Sequence, residues 1–184
     1  MKRILTTIAL AVISVFSFAQ KGPVGMRMEI SEVEQNEHQY SIFTYLDEDG
    51  KYGYYMSLGR VYRLIEVVRD GDTDFSLDHV TETCLWMGET MDEAFAFLDS
   101  LLALLDEAPG TLADFPCRMT SGADKLTVHS TATCIVVKRV LQGNRLCFNF
   151  TTGRYTAEAD VTKSSVKNLR WSLNMYHKLH PKQE

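Results

Sequence analysis

The stretch that decides the fold is Tyr40–Leu58, YSIFTYLDEDGKYGYYMSL. Two runs in which apolar and polar residues alternate flank the acidic segment 47–50, DEDG. Alternation with a period of two is typical of a half-buried β-strand. An acidic turn that ends in glycine suits a three-residue hairpin with Gly50 at positive φ. The sequence therefore predicts an antiparallel hairpin here.

The register of this hairpin sorts its aromatic residues onto two faces. With Gly50 closing the turn, Leu46 pairs with Tyr52 and Thr44 pairs with Tyr54. The face that carries these residues is otherwise apolar and is predicted to be core. The other face carries three candidate binding residues, because aromatic side chains suit protein and glycan surfaces: Phe43, Tyr45 and Tyr55. The alternative is that another part of the chain covers them.

Two later segments change from the strand period to the helical period. The sequence Thr90-Met91-Asp92-Glu93 is a capping box, and a second helical pattern begins at Thr162. Strand patterns precede each helix, at 61–69 and 79–87 and again at 125–130, 135–141, 146–150 and 154–159. We therefore predict an α+β fold, with an antiparallel β-sheet on which two main helices pack, at about 90–107 and 162–179. The order is strands, helix, strands, helix.

A second hairpin is predicted around Gly143-Asn144, because two-residue turns favour this pair of residue types. In this register Cys147 faces Val140, and the core face of the preceding strand carries Ile135 and Val137. Cys134 then lies six residues along the strand from the position opposite Cys147, about 20 Å away at ~3.3 Å per residue. A disulfide needs Cα atoms within roughly 7 Å, so these two cysteines are predicted not to bond.

The N-terminal residues have the three parts of a secretory signal peptide. Lys2 and Arg3 precede the apolar run 4–16, and small residues stand at 17 and 19. The run is shorter than the roughly 20 residues that a membrane-spanning helix needs. We predict that residues 1–19 are a cleaved signal peptide, that the protein is exported to the periplasm or beyond, and that the mature chain has no transmembrane segment. Residues 20–184 are predicted to form a single domain, with two subdomains meeting near 108–123 as the alternative.

Composition and motifs exclude several functional classes. The formal net charge of −5 disfavours general nucleic-acid binding, which depends on phosphate contacts. The sequence contains no P-loop, no dinucleotide fingerprint and no hydrolase or metalloprotease signature, so we predict no enzyme and no cofactor. No metal site is predicted either: the acidic segment 70–74 lacks the EF-hand glycine and glutamate positions. His177 and His180 instead suit the negative end of a helix dipole. The four cysteines allow one or two disulfides or four free thiols.

The second helix carries an unusual apolar seam. Val166, Leu169 and Leu173 recur at the spacing of a core face. A second set recurs every four residues on a different side, next to a basic strip, and needs a cover of its own: Trp171, Met175 and Leu179. The cover is either the chain itself or another molecule. We expect an exported non-catalytic domain that binds a protein, peptide or glycan. The alternatives are a secreted hydrolase with a dispersed Cys/His or carboxylate site, and a structural or assembly protein.

Overall fold

A computed structural model of the protein describes residues 25–35, 38–47, 50–69, 72–120, 125–141, 143–152 and 155–181. The predicted signal peptide, residues 1–19, lies outside these residues. The described chain forms one eight-stranded antiparallel sheet whose strands lie in the order of the sequence. The elements are β1 (Arg27–Gln35), β2 (His38–Leu46), β3 (Tyr52–Arg69), β4 (Asp72–Gly88), α1 (Met91–Leu104), β5 (Leu112–Thr120), β6 (Leu126–Arg139), β7 (Gly143–Thr152), β8 (Tyr155–Thr162) and α2 (Lys163–Leu179). The predicted order of strands and helices is confirmed.

The first hairpin has the register that its turn chemistry predicts. Leu46 pairs with Tyr52, and Thr44 pairs with Tyr54. Gly50 has a φ of 76°, and its amide donates a 3.1 Å hydrogen bond to the carbonyl of Asp47. Glycine adopts this left-handed conformation without the Cβ penalty that other residues incur. The turn therefore sets which face each aromatic residue of the hairpin occupies.

The strands β3 and β4 are longer than predicted. The segments 61–69 and 79–87 are parts of strands of 18 and 17 residues. The β3–β4 register shifts between Ser57 and Arg60, around Gly59, whose φ is 104°. A β-bulge of this kind bends a strand without ending it. Arg69 pairs with Asp72, so the acidic segment lies at the β3–β4 connection, of which residues 70 and 71 lie outside the described part of the chain.

Both helices begin at the predicted capping residues. The hydroxyl of Thr90 accepts from the amide of Glu93 at 3.2 Å, and the Glu93 carboxylate accepts from the amide of Thr90 at 3.0 Å. Thr162 caps α2 in the same way, accepting from the amide of Ser165 at 3.1 Å. Helix α1 ends at Leu104, three residues earlier than predicted, because its last turn tightens into bonds that span three residues instead of four.

The second half of the sheet corrects two features of the sequence analysis. Strand β5 was not predicted, because Pro116 interrupts a weak alternation. It pairs with β4 at three described positions, residues 83–85 with 117–119, and so joins the two halves of the sheet.

The predicted register of the second hairpin is wrong. The turn lies at Val140–Leu141, with Leu141 at a φ of 71°, and Arg139 pairs with Gly143. Cys147 therefore pairs with Ile135 instead of Val140. As a result Val136 lies in the core and Ile135 and Val137 lie on the opposite face, half-buried.

The main core lies between one face of the sheet and the two helices. Its fully buried members come from both halves of the chain and include Ile42, Met56, Leu85, Leu98, Phe148 and Leu169. Helix α2 packs on β1 and β2, at one edge of the sheet, and also on β8, at the other edge. The sheet is therefore curved around α2, so that strands far apart in the sheet order approach the same helix.

Candidate interaction surface

The three aromatic residues of the first hairpin lie together on the sheet face that is opposite the helices. The rings of Phe43 and Tyr55 stack at 5.6 Å, and Tyr45 meets Tyr55 edge-on at 6.2 Å. Trp86 of β4 extends the group, with its ring 5.0 Å from Tyr55. Phe43, Tyr45 and Tyr55 are at most 3% exposed. The structure thus brings these three predicted binding residues together but buries them. This is the alternative outcome, in which another part of the chain covers the face.

Trp86 is a member of this group that the sequence analysis missed. Its ring lies over Gly53, where a Cβ atom would come within 2.0 Å of the indole. A glycine in the interior of a strand often marks a close approach of this kind. Gly53, which lies between Tyr52 and Tyr54 in a strand, was therefore the one sequence signal that a bulky side chain, here Trp86, packs against this position.

A buried charged network borders the aromatic group. The guanidinium of Arg27 donates two 2.7 Å hydrogen bonds to the carboxylate of Glu82 and lies 3.9 Å above the ring of Phe43. Burial alone would lower the pKa of Arg27, but the hydrogen bond and the charge of Glu82 outweigh it and raise this pKa. At the other side Arg118 pairs with Asp47 at 3.1 Å. Within each pair the positive and negative charges neutralise each other. We therefore interpret both pairs as structural groups that border a buried face.

The outer face of α2 is different, because its apolar side chains are exposed. Trp171 is 65% exposed, Met175 is 37% exposed and Leu179 is 72% exposed. The inner face of the same helix buries Val166, Leu169 and Leu173 completely. No described residue covers the second seam. The structure therefore does not show the first alternative, in which the chain itself covers these three side chains.

The basic strip beside the seam divides into paired and unpaired residues. Arg170 pairs with Asp99 of α1 at 2.6 Å, and Lys163 pairs at 2.6 Å with Asp106, in the turn that follows α1. The hydrogen bond from Arg170 lowers the pKa of Asp99. Lys167 and Lys178 are exposed and have no acidic partner among the described residues. They flank Trp171 along the helix and give its surroundings a positive charge.

The histidines of α2 pack against aromatic rings. His177 meets the ring of Phe95 edge-on at 6.2 Å, and the ring of His180 lies 4.4 Å from that of Tyr176. In the described part of the chain no group of three or more His, Cys, Asp or Glu side chains is placed to hold a metal ion.

The four cysteines are free thiols. Cys134 pairs with Phe148 and Ile135 pairs with Cys147, so neighbouring positions send the two thiols to opposite faces of the sheet. Cys134 and Cys147 are therefore kept apart because their side chains lie on opposite faces. The predicted separation of about 20 Å along the strand is not the reason. The thiol of Cys147 donates to the carboxylate of Asp160 at 2.9 Å. Burial raises the pKa of Cys134 to about 11, which keeps this thiol protonated and unreactive.

The chain matches no protein-family model, no curated protein and no solved structure. No helix within the described ranges is long and apolar enough to cross a membrane. The surface of α2 formed by Trp171, Met175, Leu179, Lys167 and Lys178, which we call the α2 seam, is therefore judged on its chemistry alone.

Proposed function

We propose that the protein is an exported, non-catalytic interaction domain and that the α2 seam is its binding surface. The observation that carries this proposal is the exposure of Trp171, Met175 and Leu179 on successive turns of one helix. Large apolar side chains that are exposed together mark interaction sites, and tryptophan is enriched among residues that dominate binding energy. Among the residues whose burial the structure describes, every other Phe, Tyr and Trp side chain is buried or partly buried.

The composition of the α2 seam favours a protein surface over a glycan. A glycan site usually offers planar aromatic rings with several polar groups around them, whereas Trp171 is the one aromatic ring of the seam and its neighbours Met175 and Leu179 are aliphatic. Aromatic residues and methionine are enriched in protein interfaces. The unpaired charges of Lys167 and Lys178 add a preference for a partner surface with acidic groups.

The export part of the proposal rests on the N-terminal sequence. A basic start, an apolar run and small residues at positions 17 and 19 are the features that signal peptidase recognises. The expected mature chain begins at Gln20, and the mass of the protein recovered outside the cytoplasm measures this directly. An intact Met1 in the membrane fraction would contradict it.

The binding part is tested by cross-linking in cells. A photoreactive amino acid such as p-benzoylphenylalanine replaces Met175 in the α2 seam, and in a control variant it replaces Lys138, which is exposed on β6. We expect a discrete cross-linked product from position 175 and none from position 138. The absence of any product from position 175 under conditions in which the protein is folded and exported would contradict the proposed binding surface.

A further inference from the structure

The outer face of α1 complements the α2 seam in size and in charge. Helical spacing places Ala96, Ser100 and Ala103 along the middle of this face, and all three are exposed. Asp92, which is also exposed, lies at one end of the row and has no basic partner among the described residues. The face of α1 is therefore lined by small side chains with one acidic residue at its end, and we call it the groove; the α2 seam, with its large side chains and two lysines, is the ridge.

The two helices lie side by side and antiparallel. Asp99 of α1 pairs with Arg170 of α2, and Asp106 pairs with Lys163. Seven residues forward from Asp99, to a position two residues beyond the end of α1, thus correspond to seven residues backward on α2, which is about two helical turns. These two pairs determine which residue of α2 lies beside which residue of α1 along the common helix direction. Trp171 lies at the level of Leu98, and Lys178 lies at the level of residues 91 and 92.

Resting on the proposed function of the α2 seam, we propose that its partner is a second copy of this chain, which binds through the paired outer faces of α1 and α2. A two-fold axis that runs between the helices and parallel to them places α2 of each copy over α1 of the other. Rotation about such an axis does not change height along the helices. Trp171 therefore falls between Ala96 and Ser100 of the second copy, and Lys178 falls beside its Asp92.

In this arrangement the outer faces of α1 and α2 of both protomers are all occupied, so no face is left to bind a third copy. Both protomers contribute one ridge and one groove, so the contact is the same in both directions and forms a dimer instead of an open chain. The small residues of α1 let the helices approach, and the two symmetry-related pairs of Lys178 with Asp92, at one end of the contact, set its register. A contact between two α2 seams would instead leave the lysines of both copies without acidic partners.

The first experiment measures the mass of the mature protein in solution by sedimentation over a wide concentration range. We expect a dimer at the upper concentrations, and association that weakens as salt is added. Lys178→Glu and Asp92→Lys should each weaken dimerisation by roughly tenfold or more, because each places like charges opposite one another. An equal mixture of the two variants should form a heterodimer through the reversed pair. Both residues are exposed end-turn residues of their helices, so at low protein concentration, where any dimer has dissociated, the variants should show only a small loss in thermal midpoint.

The outcomes separate this inference from the proposed function. A cross-linked product from position 175 with twice the protomer mass supports the dimer. A product with a different mass, together with a monomer in sedimentation, overturns the dimer and leaves the α2 seam as a binding surface for another protein or acidic partner. A monomer without any cross-linked product overturns both. A dimer that Lys178→Glu and Asp92→Lys do not weaken would show that association uses another surface.

Discussion

The hydroxyl of Tyr40 donates a 2.7 Å hydrogen bond to the backbone carbonyl of Asp160 and so joins the second strand of the sheet to the last. Among the described strands β8 has one neighbour, β7, so β8 forms an edge of the sheet. Tyr40 is 1% exposed, and burial together with the charge of Asp160 raises its pKa, so the hydroxyl stays protonated and remains a donor. The bond satisfies one carbonyl of an edge strand and links β2 to β8 across the curved sheet.

Tyr40→Phe should destabilise the protein by about 1 kcal/mol, because it removes one buried hydrogen bond and leaves the ring in place. Tyr45→Phe is the matched control, since Tyr45 is 3% exposed and no hydrogen bond from its hydroxyl is described. Urea unfolding of both variants measures the difference. Equal stabilities of the two variants would mean that the bond to Asp160 contributes nothing to folding.

Trp171→Ala should leave the thermal midpoint nearly unchanged, because the side chain is 65% exposed in the protomer. Leu169→Ala, two residues earlier on the inner face, should cost about 2–5 kcal/mol, since Leu169 is completely buried. Thermal unfolding at low protein concentration, where any dimer has dissociated, compares the two. A large loss of stability in Trp171→Ala would show that the chain itself covers this side chain.

Glu82→Ala should cost roughly 3 kcal/mol, because it leaves the guanidinium of Arg27 without its bidentate partner next to a buried aromatic face. The double variant Arg27→Met with Glu82→Leu removes both charges and should be more stable than Glu82→Ala alone. Urea unfolding of Arg27→Met, of Glu82→Leu and of the double variant gives the coupling between the two residues. Additive effects would contradict a direct energetic link across the 2.7 Å pair.

Acid should weaken the protein partly through Asp160. Burial tends to raise the pKa of this carboxyl, but hydrogen bonds from Cys147 and Arg145 and the charge of Arg139 lower it on balance. A carboxyl whose pKa is lowered in the folded state stabilises the fold when the pH is above the pKa of an unfolded aspartate, about 3.9. This contribution is lost as the pH falls through the pKa of the folded state.

Asp160→Asn tests this pH dependence. The variant should be less stable than the wild type at neutral pH, and the difference should shrink below about pH 3.9, where the wild-type carboxyl begins to be protonated. Urea unfolding at neutral and at acidic pH measures both differences. A difference that stays constant across this range would mean that Asp160 does not titrate with folding.

The sequence predicted those parts of the fold that local chemistry determines. The DEDG turn fixes the register of the first hairpin, and threonine caps fix the starts of both helices, because each of these signals lies within a few residues of the structure that it specifies. Strand β5 was missed because Pro116 interrupts its weak alternation, so the strand is specified by its pairing with β4 and β6 instead of by its own pattern. The β6–β7 register was wrong because Gly143-Asn144 resembles a hairpin tip, whereas the chain turns three residues earlier with Leu141 at positive φ.

The candidate site shows the same limit. The period of α2 located the apolar seam of Trp171, Met175 and Leu179, because residues on one side of a helix recur at fixed spacing. Sequence could not determine whether the chain covers the seam, or whether it covers Phe43, Tyr45 and Tyr55, since burial depends on packing between elements that are far apart in the chain. The structure leaves the first group exposed and buries the second.

Helix α2, the last element of the chain, packs on β1, the first described strand, while the two halves of the sheet are paired at only three positions of β4 and β5. Contacts between the two ends of a chain have high contact order, and such folds form slowly. We expect the native core to remain incomplete until the final helix has been synthesised. The export that we propose would benefit from this order of events, because a chain whose core is still incomplete remains unfolded during its passage.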